Sequence, residues 1–168
     1  MLEILQQWSD QNAFFTWLRE SPSIWAYPTL LFLHTVGLSF SVGSSVAIDL
    51  RLLGFARRMP ISPLDGFFKV IWIGFWVNAV SGTMLFVADA TSKLANPAFY
   101  VKMSCVFLAV GVMVVMRRRV FRDPDVDSML DTPGTPNRAF GKWLAIASIV
   151  CWFGAITAGR FMSYVGGG

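Results

Sequence analysis

The run VIWIGFWVNAVSGTMLFVA, residues 70–88, holds no ionisable side chain and is bracketed by Lys69 and Asp89. Crossing about 30 Å of hydrocarbon takes about 20 residues at about 1.5 Å of rise each. Backbone groups in lipid must be satisfied within their own segment, so a run of this kind is read as a helix. Three further runs repeat the pattern. Of Asp, Glu, Lys, Arg and His, residues 24–48 contain only His34, residues 97–116 only Lys102, and residues 143–159 none. With Arg160 at its edge, the last span is read as 143–162. The sequence predicts an all-α fold: a polytopic membrane four-helix bundle forming a single membrane domain over residues 1–168.

Composition agrees with this reading. The chain has 168 residues, 55% hydrophobic and only 14% charged, with mean hydropathy +0.55. Soluble domains average about 25% charged residues, and a small one needs them to cover its surface. A soluble globule, a disordered chain and a nucleic-acid module are all excluded.

Residues 1–20 follow a different pattern. Glu3, Gln6, Gln7, Asp10 and Gln11 alternate with Ile4, Leu5, Trp8, Phe15 and Leu18 at roughly helical spacing. An amphipathic helix lying in the membrane interface is expected, ending at Ser21-Pro22. It lacks the basic start and unbroken apolar stretch of a secretory signal.

Orientation follows from the basic residues. The connection between the first two spans and residues 117–142 together hold ten of the 14 Lys and Arg residues, Arg57, Arg58 and Arg138 among them. The positive-inside rule places both loops in the cytoplasm and both termini on the periplasmic side. Trp25, Tyr27, Tyr100 and Tyr164 then fall together at the outer interface, where an aromatic belt is expected. Arg117, Arg118, Arg119 and Arg122 cluster just inside the membrane, and anionic lipid headgroups are their natural partners. The net charge of +4 reflects this asymmetry and carries no sign of nucleic-acid binding.

His34, the only histidine, lies ten residues into the first span, about 15 Å deep. An ionisable group at that depth is a functional candidate. Steps of three and four residues lead from it to Ser41, Ser45 and Asp49. The matching face of the second span holds Asn78 and Ser81, with Asn78 at nearly the depth of His34. A contact between His34 and Asn78 is expected. Three roles are open to it: tying helices together, bordering a haem b or quinone site formed by His34, Asn78, Ser41 and Ser81, or starting a proton or ion path through His34, Ser41, Ser45 and Asp49.

A six-coordinate haem needs two axial ligands at similar depth. One histidine disfavours such a site within a single chain; His34 is the one metal ligand expected if haem binds. The methionines read as core filler, and Cys105 and Cys151 as inert apolar side chains. Asp123, Asp125 and Asp127 resemble the start of a calcium loop, but Ser128 stands where glycine belongs and Gly134 where glutamate belongs. A solvated acidic loop is expected there. No nucleophile–base pair, carboxylate pair or phosphate loop is visible, so no catalytic residue is assigned.

The stretch Leu33-His34-Thr35-Val36-Gly37, continuing to Ile48-Asp49-Leu50-Arg51-Leu52-Leu53-Gly54, with Asn96-Pro97-Ala98-Phe99-Tyr100-Val101-Lys102 opening the third span, resembles an uncharacterised family of bacterial four-helix integral membrane proteins. The resemblance implies a multi-pass protein of the bacterial inner membrane and supplies no activity. A fainter likeness links the first span to four-helix b-type cytochromes and copper-resistance membrane domains. Such cytochromes use paired histidines, so their haem sites do not transfer. The expected function is a non-catalytic subunit or binding module of a membrane complex, partnered by another membrane subunit or a second copy. The alternative is a small proton- or ion-coupled transporter acting as an oligomer.

Overall fold

Proline opens two of the long helices, where its missing N–H removes no helical hydrogen bond. The computed structural model describes residues 7, 11–20, 23, 25–55, 59–122, 126–127 and 135–165. Six helices are described: α1 (Ala13–Glu20), α2 (Tyr27–Leu53), α3 (Phe67–Ala88), α4 (Ala90–Ala95), α5 (Pro97–Arg119) and α6 (Pro136–Val165). A 3-10 turn, Ser62–Gly66, leads into α3, and there is no strand among the described residues. Four helical segments, three of them in α2, α5 and α6 and the fourth Ser62–Ala88, the 3-10 turn continued by α3, are long and apolar enough to cross a membrane. Residues 1–6 and 8–10 of the expected amphipathic helix, the Ser21-Pro22 break, Arg57, Arg58, Asp123, Asp125, Ser128 and Gly134 lie outside the described residues.

The helices do not end where the charge-free spans do, and most run past them. The first starts at Tyr27 rather than residue 24 and ends at Leu53 rather than 48, and the last begins at Pro136 rather than 143. Helical hydrogen bonding does not stop at the edge of the hydrocarbon, and basic side chains suit the carboxyl ends. Arg51 lies in the last turn of α2, and Arg117, Arg118 and Arg119 in the last turn of α5, where the dipole favours cations. Asn96 caps α5, its Oδ1 accepting from Ala98 N–H at 3.0 Å while its Nδ2 donates to Met162 O of α6 at 3.2 Å.

Packing divides the bundle into two hairpins. α2 packs most extensively on α3, α5 on α6, and α2 joins the hairpins through α6. Two apolar clusters close the ends. At the end carrying Arg51 and Arg117, Ile48, Leu52, Phe68, Ile71, Met113 and Met116 pack together. At the opposite end, Leu18 of α1 packs with Ala26, Leu30, Leu85 and Ala88. Ser41, Ser45, Ser81 and Ser148 are buried between the two clusters, and Asp49 is buried beside Ile48 and Leu52 of the basic-end cluster. The outside is apolar, with Phe107 69% and Phe153 72% exposed. Burying polar groups while exposing phenyl rings inverts the soluble pattern and suits a lipid solvent.

Candidate ligand site at His34

Two glycines set the distance between α2 and α3. A Cβ on Gly37 would stand 2.7 Å from Asn78 N, and one on Gly74 would stand 2.7 Å from Gly37 O. Backbone contact this close is what small residues permit at membrane helix crossings. It brings His34 against α3.

There the ring is held by one nitrogen. His34 Nδ1 lies 3.0 Å from Asn78 O and 3.1 Å from Ser81 Oγ. A carbonyl oxygen only accepts, so Nδ1 carries the proton and donates. The Ser81 hydroxyl has its own acceptors in Val77 O at 2.6 Å and Asn78 O at 3.2 Å, so it too accepts from Nδ1. Asn78 Nδ2 returns a bond to His34 O at 2.8 Å. The His34–Asn78 contact therefore runs twice between side chain and backbone, not between the two side chains. Gly82 makes room for the ring, since a Cβ there would stand 2.9 Å from His34 Cε1.

With Nδ1 donating, Nε2 keeps its lone pair. It makes no hydrogen bond among the described residues. A ring nitrogen bonded to a backbone carbonyl with the other left basic is the arrangement usual for metal-ligating histidines. It also suits accepting a proton from a hydroxyl.

The surroundings are cationic. Lys102 of α5 and Lys93 of α4 are near enough to act on His34 electrostatically. The Lys102 stem lies near Gly159 of α6, where a Cβ would stand 3.7 Å from its Cδ. Lys93 Nζ donates to Leu85 O at the end of α3; burial pushes its pKa below the ordinary lysine value, opposed by Asp89. Lys102 was visible in the sequence as the one charge inside the third apolar run, but its position near His34 depends on how the hairpins meet.

The other expected site residues go elsewhere. Ser41 Oγ donates to Ile71 O at 3.0 Å across the α2–α3 crossing. Ser45 faces α6: its Oγ is 3.2 Å from Ser148 Oγ and accepts from Trp152 Nε1 at 3.1 Å. Asp49, one turn on, is 0% exposed, and neither carboxyl oxygen has a hydrogen-bond partner among the described residues. Ser148 acts on it electrostatically, but its hydroxyl is placed for Ser45 Oγ and lies outside hydrogen-bond geometry to the carboxyl. His34, Asn78 and Ser81 thus form one site, while Ser45 and Asp49 belong to a second interface that also holds Ser148 and Trp152. No hydrogen bond among the described residues links His34 to Ser41, Ser41 to Ser45, or Ser45 to Asp49.

Among the described residues no group of three His, Cys, Asp or Glu side chains is placed to hold a metal ion, and Cys105 and Cys151 are free thiols. Met84 packs against the cluster around Leu85, and Met113 and Met116 belong to the cluster at the other end. The acidic loop is not simply solvated: Asp127 accepts from Ile61 N–H at 2.5 Å, where the 3-10 turn begins.

No known protein family, curated protein or solved structure matches the chain.

Proposed function

We propose that this chain is a non-catalytic subunit or binding module of a membrane complex, holding a haem or quinone at His34. The observation that carries the reading is the His34 ring, anchored through Nδ1 while Nε2 is left with a free lone pair. That lone pair suits haem iron in a five-coordinate site or the hydroxyl of a quinol. Lys102 and Lys93 near the ring suit haem carboxylates or quinone oxygens and oppose a cation. The finer topology belongs to the same reading: bacterial inner membrane, both termini periplasmic, the N-terminal amphipathic helix at the outer interface, and basic loops inside facing anionic headgroups. The ten-to-four division of basic residues supports it; so do Trp25, Tyr27, Tyr100 and Tyr164, all exposed at one end of the bundle.

The test is to purify the protein in mild detergent, record its absorption spectrum, and extract it with organic solvent for quinone analysis. A Soret band or a co-extracted quinone is expected, reduced at least about tenfold in His34→Ala. A folded preparation with neither, or a ligand retained fully by His34→Ala, overturns the reading.

One observation favours the transport alternative. Asp49 is fully buried with both carboxyl oxygens unpartnered among the described residues, and such groups inside membranes mark proton and ion routes. Four helices are few for a transporter, so this reading requires an oligomer. Proton or sodium flux in proteoliposomes that is abolished by Asp49→Asn and kept by His34→Ala would establish it over the first.

A further inference from the structure

α3 and α5 do not pack extensively on each other along their length. At the basic end, this seam opens into a cleft of about 460 Å³, within the roughly 300–1,000 Å³ of small-ligand sites. Its apolar walls include Phe68, Trp72, Met113 and Val114, and its mouth carries Asp65, Arg117, Arg118 and Arg122. Arg117 is already engaged, with its Nε 3.5 Å from Asp65 Oδ1 and its guanidinium 5.5 Å from the centre of the Phe68 ring. Arg118 and Arg122 are exposed and have no ion pair among the described residues. Both line the cleft, Arg118 from the last turn of α5 and Arg122 from the turn that follows it.

We infer that the cleft binds one anionic phospholipid, its phosphate between Arg118 and Arg122 and an acyl chain along Trp72 and Val114. Charge and depth decide the occupant. Three guanidinium groups face a single carboxylate, so the mouth demands an anion. The walls are apolar and lie on membrane-crossing segments, so the remainder of the ligand is hydrocarbon. A soluble phosphate would leave the walls unused, and a zwitterionic lipid would bring a cation to the arginines. The site is separate from His34 and does not depend on a ligand there; it rests on the proposed placing of the basic loops among anionic headgroups.

The experiment uses the full chain, delipidated in detergent and titrated with phosphatidylglycerol or phosphatidylcholine carrying brominated acyl chains, which quench nearby tryptophan. Brominated phosphatidylglycerol is expected to quench more than brominated phosphatidylcholine, and Trp72→Phe should remove that excess. At about fivefold in affinity per arginine, Arg118→Gln/Arg122→Gln should weaken the excess roughly 25-fold. Millimolar glycerol phosphate should not displace the lipid. Native mass spectrometry of the unmutated protein should retain one phosphatidylglycerol per chain. Equal quenching by the two lipids, an excess that survives Arg118→Gln/Arg122→Gln, or displacement by glycerol phosphate would each overturn the inference.

Discussion

One carbonyl, that of Asn78, gives the two nitrogens of His34 different roles. By accepting from Nδ1 at 3.0 Å it orients the ring and leaves Nε2 basic, and the arrangement depends on Gly82 having no Cβ. In Gly82→Ala the methyl group would press on Cε1, tilting the ring off the carbonyl. Ligand content per protein is expected to fall about tenfold while thermal stability changes little; unchanged ligand content would show that ring orientation does not matter. Asp49 makes the opposite case. A buried, unpartnered carboxyl opposes folding, and exchanging buried ionic groups for apolar ones often stabilises by about 1–4 kcal/mol. Asp49→Val, which removes the carboxyl with little change in volume, is therefore expected to raise Tm in detergent, and a lowered Tm would reveal a structural partner for the carboxyl. At this scale the sequence was informative along each helix. Depth and face place His34, Asn78 and Ser81 together because 1.5 Å and 100° per residue are fixed by the backbone. They do not tell which neighbour Ser45 or Asp49 faces, since that depends on how α6 is rotated against α2.

Between elements, the α2–α3 crossing depends on contact that a single methyl group would break. A Cβ on Gly74 meets Gly37 O at 2.7 Å and Ser41 N at 2.8 Å, both backbone atoms that cannot turn aside. Gly74→Ala must push the helices apart, stretching the Ser41–Ile71 and His34–Asn78 bonds. A loss of about 1–3 kcal/mol is expected, as for other overpacked cores. Gly111 of α5 has nothing within 4 Å of a Cβ position, so Gly111→Ala should be neutral or stabilising by up to about 1 kcal/mol. Denaturant unfolding of both variants in micelles separates crossing strain from helix propensity; equal effects would remove the crossing argument. Gly37, Ser41 and Ser45, and Gly74, Asn78 and Gly82, recur at intervals of four, the spacing by which small residues let membrane helices approach closely. The helix ends are not legible in this way, because charge marks the edge of the hydrocarbon whereas hydrogen bonding continues to Leu53 and back to Pro136.

At the scale of the whole molecule, the two hairpins meet along α2 and α6 and are bridged across the α3–α5 seam near its ends. Phe86 and Phe99 stack with centroids 5.3 Å apart at one end, and Phe68 meets Phe121 edge to face at 5.1 Å at the other. Asp127 adds a third tie at the basic end, reaching from the segment between α5 and α6 to the start of the 3-10 turn before α3. Its isolation in a long polar loop concealed this, since a bond across 66 residues has no local signature. Burial pushes the Asp127 pKa up, but the Ile61 N–H, the side chain and backbone of Ser62, and Arg51 outweigh it and hold the carboxyl below its ordinary value. A folded-state value below the unfolded one gives stability that is present above the unfolded carboxylate pKa, about 3.9, and is lost as pH falls through the folded value. Because the carboxylate is only partly buried and is screened by solvent, its contribution is less than about 1 kcal/mol. At neutral pH, Asp127→Asn should therefore lower Tm by at most about 3 °C. The gap between the two proteins should narrow as pH falls below the unfolded value and close once the native carboxylate is protonated as well. Melting curves from pH 7 to pH 2.5 follow this directly. A gap that persists unchanged at the acid end would mean that Asp127 joins the hairpins through packing rather than through charge.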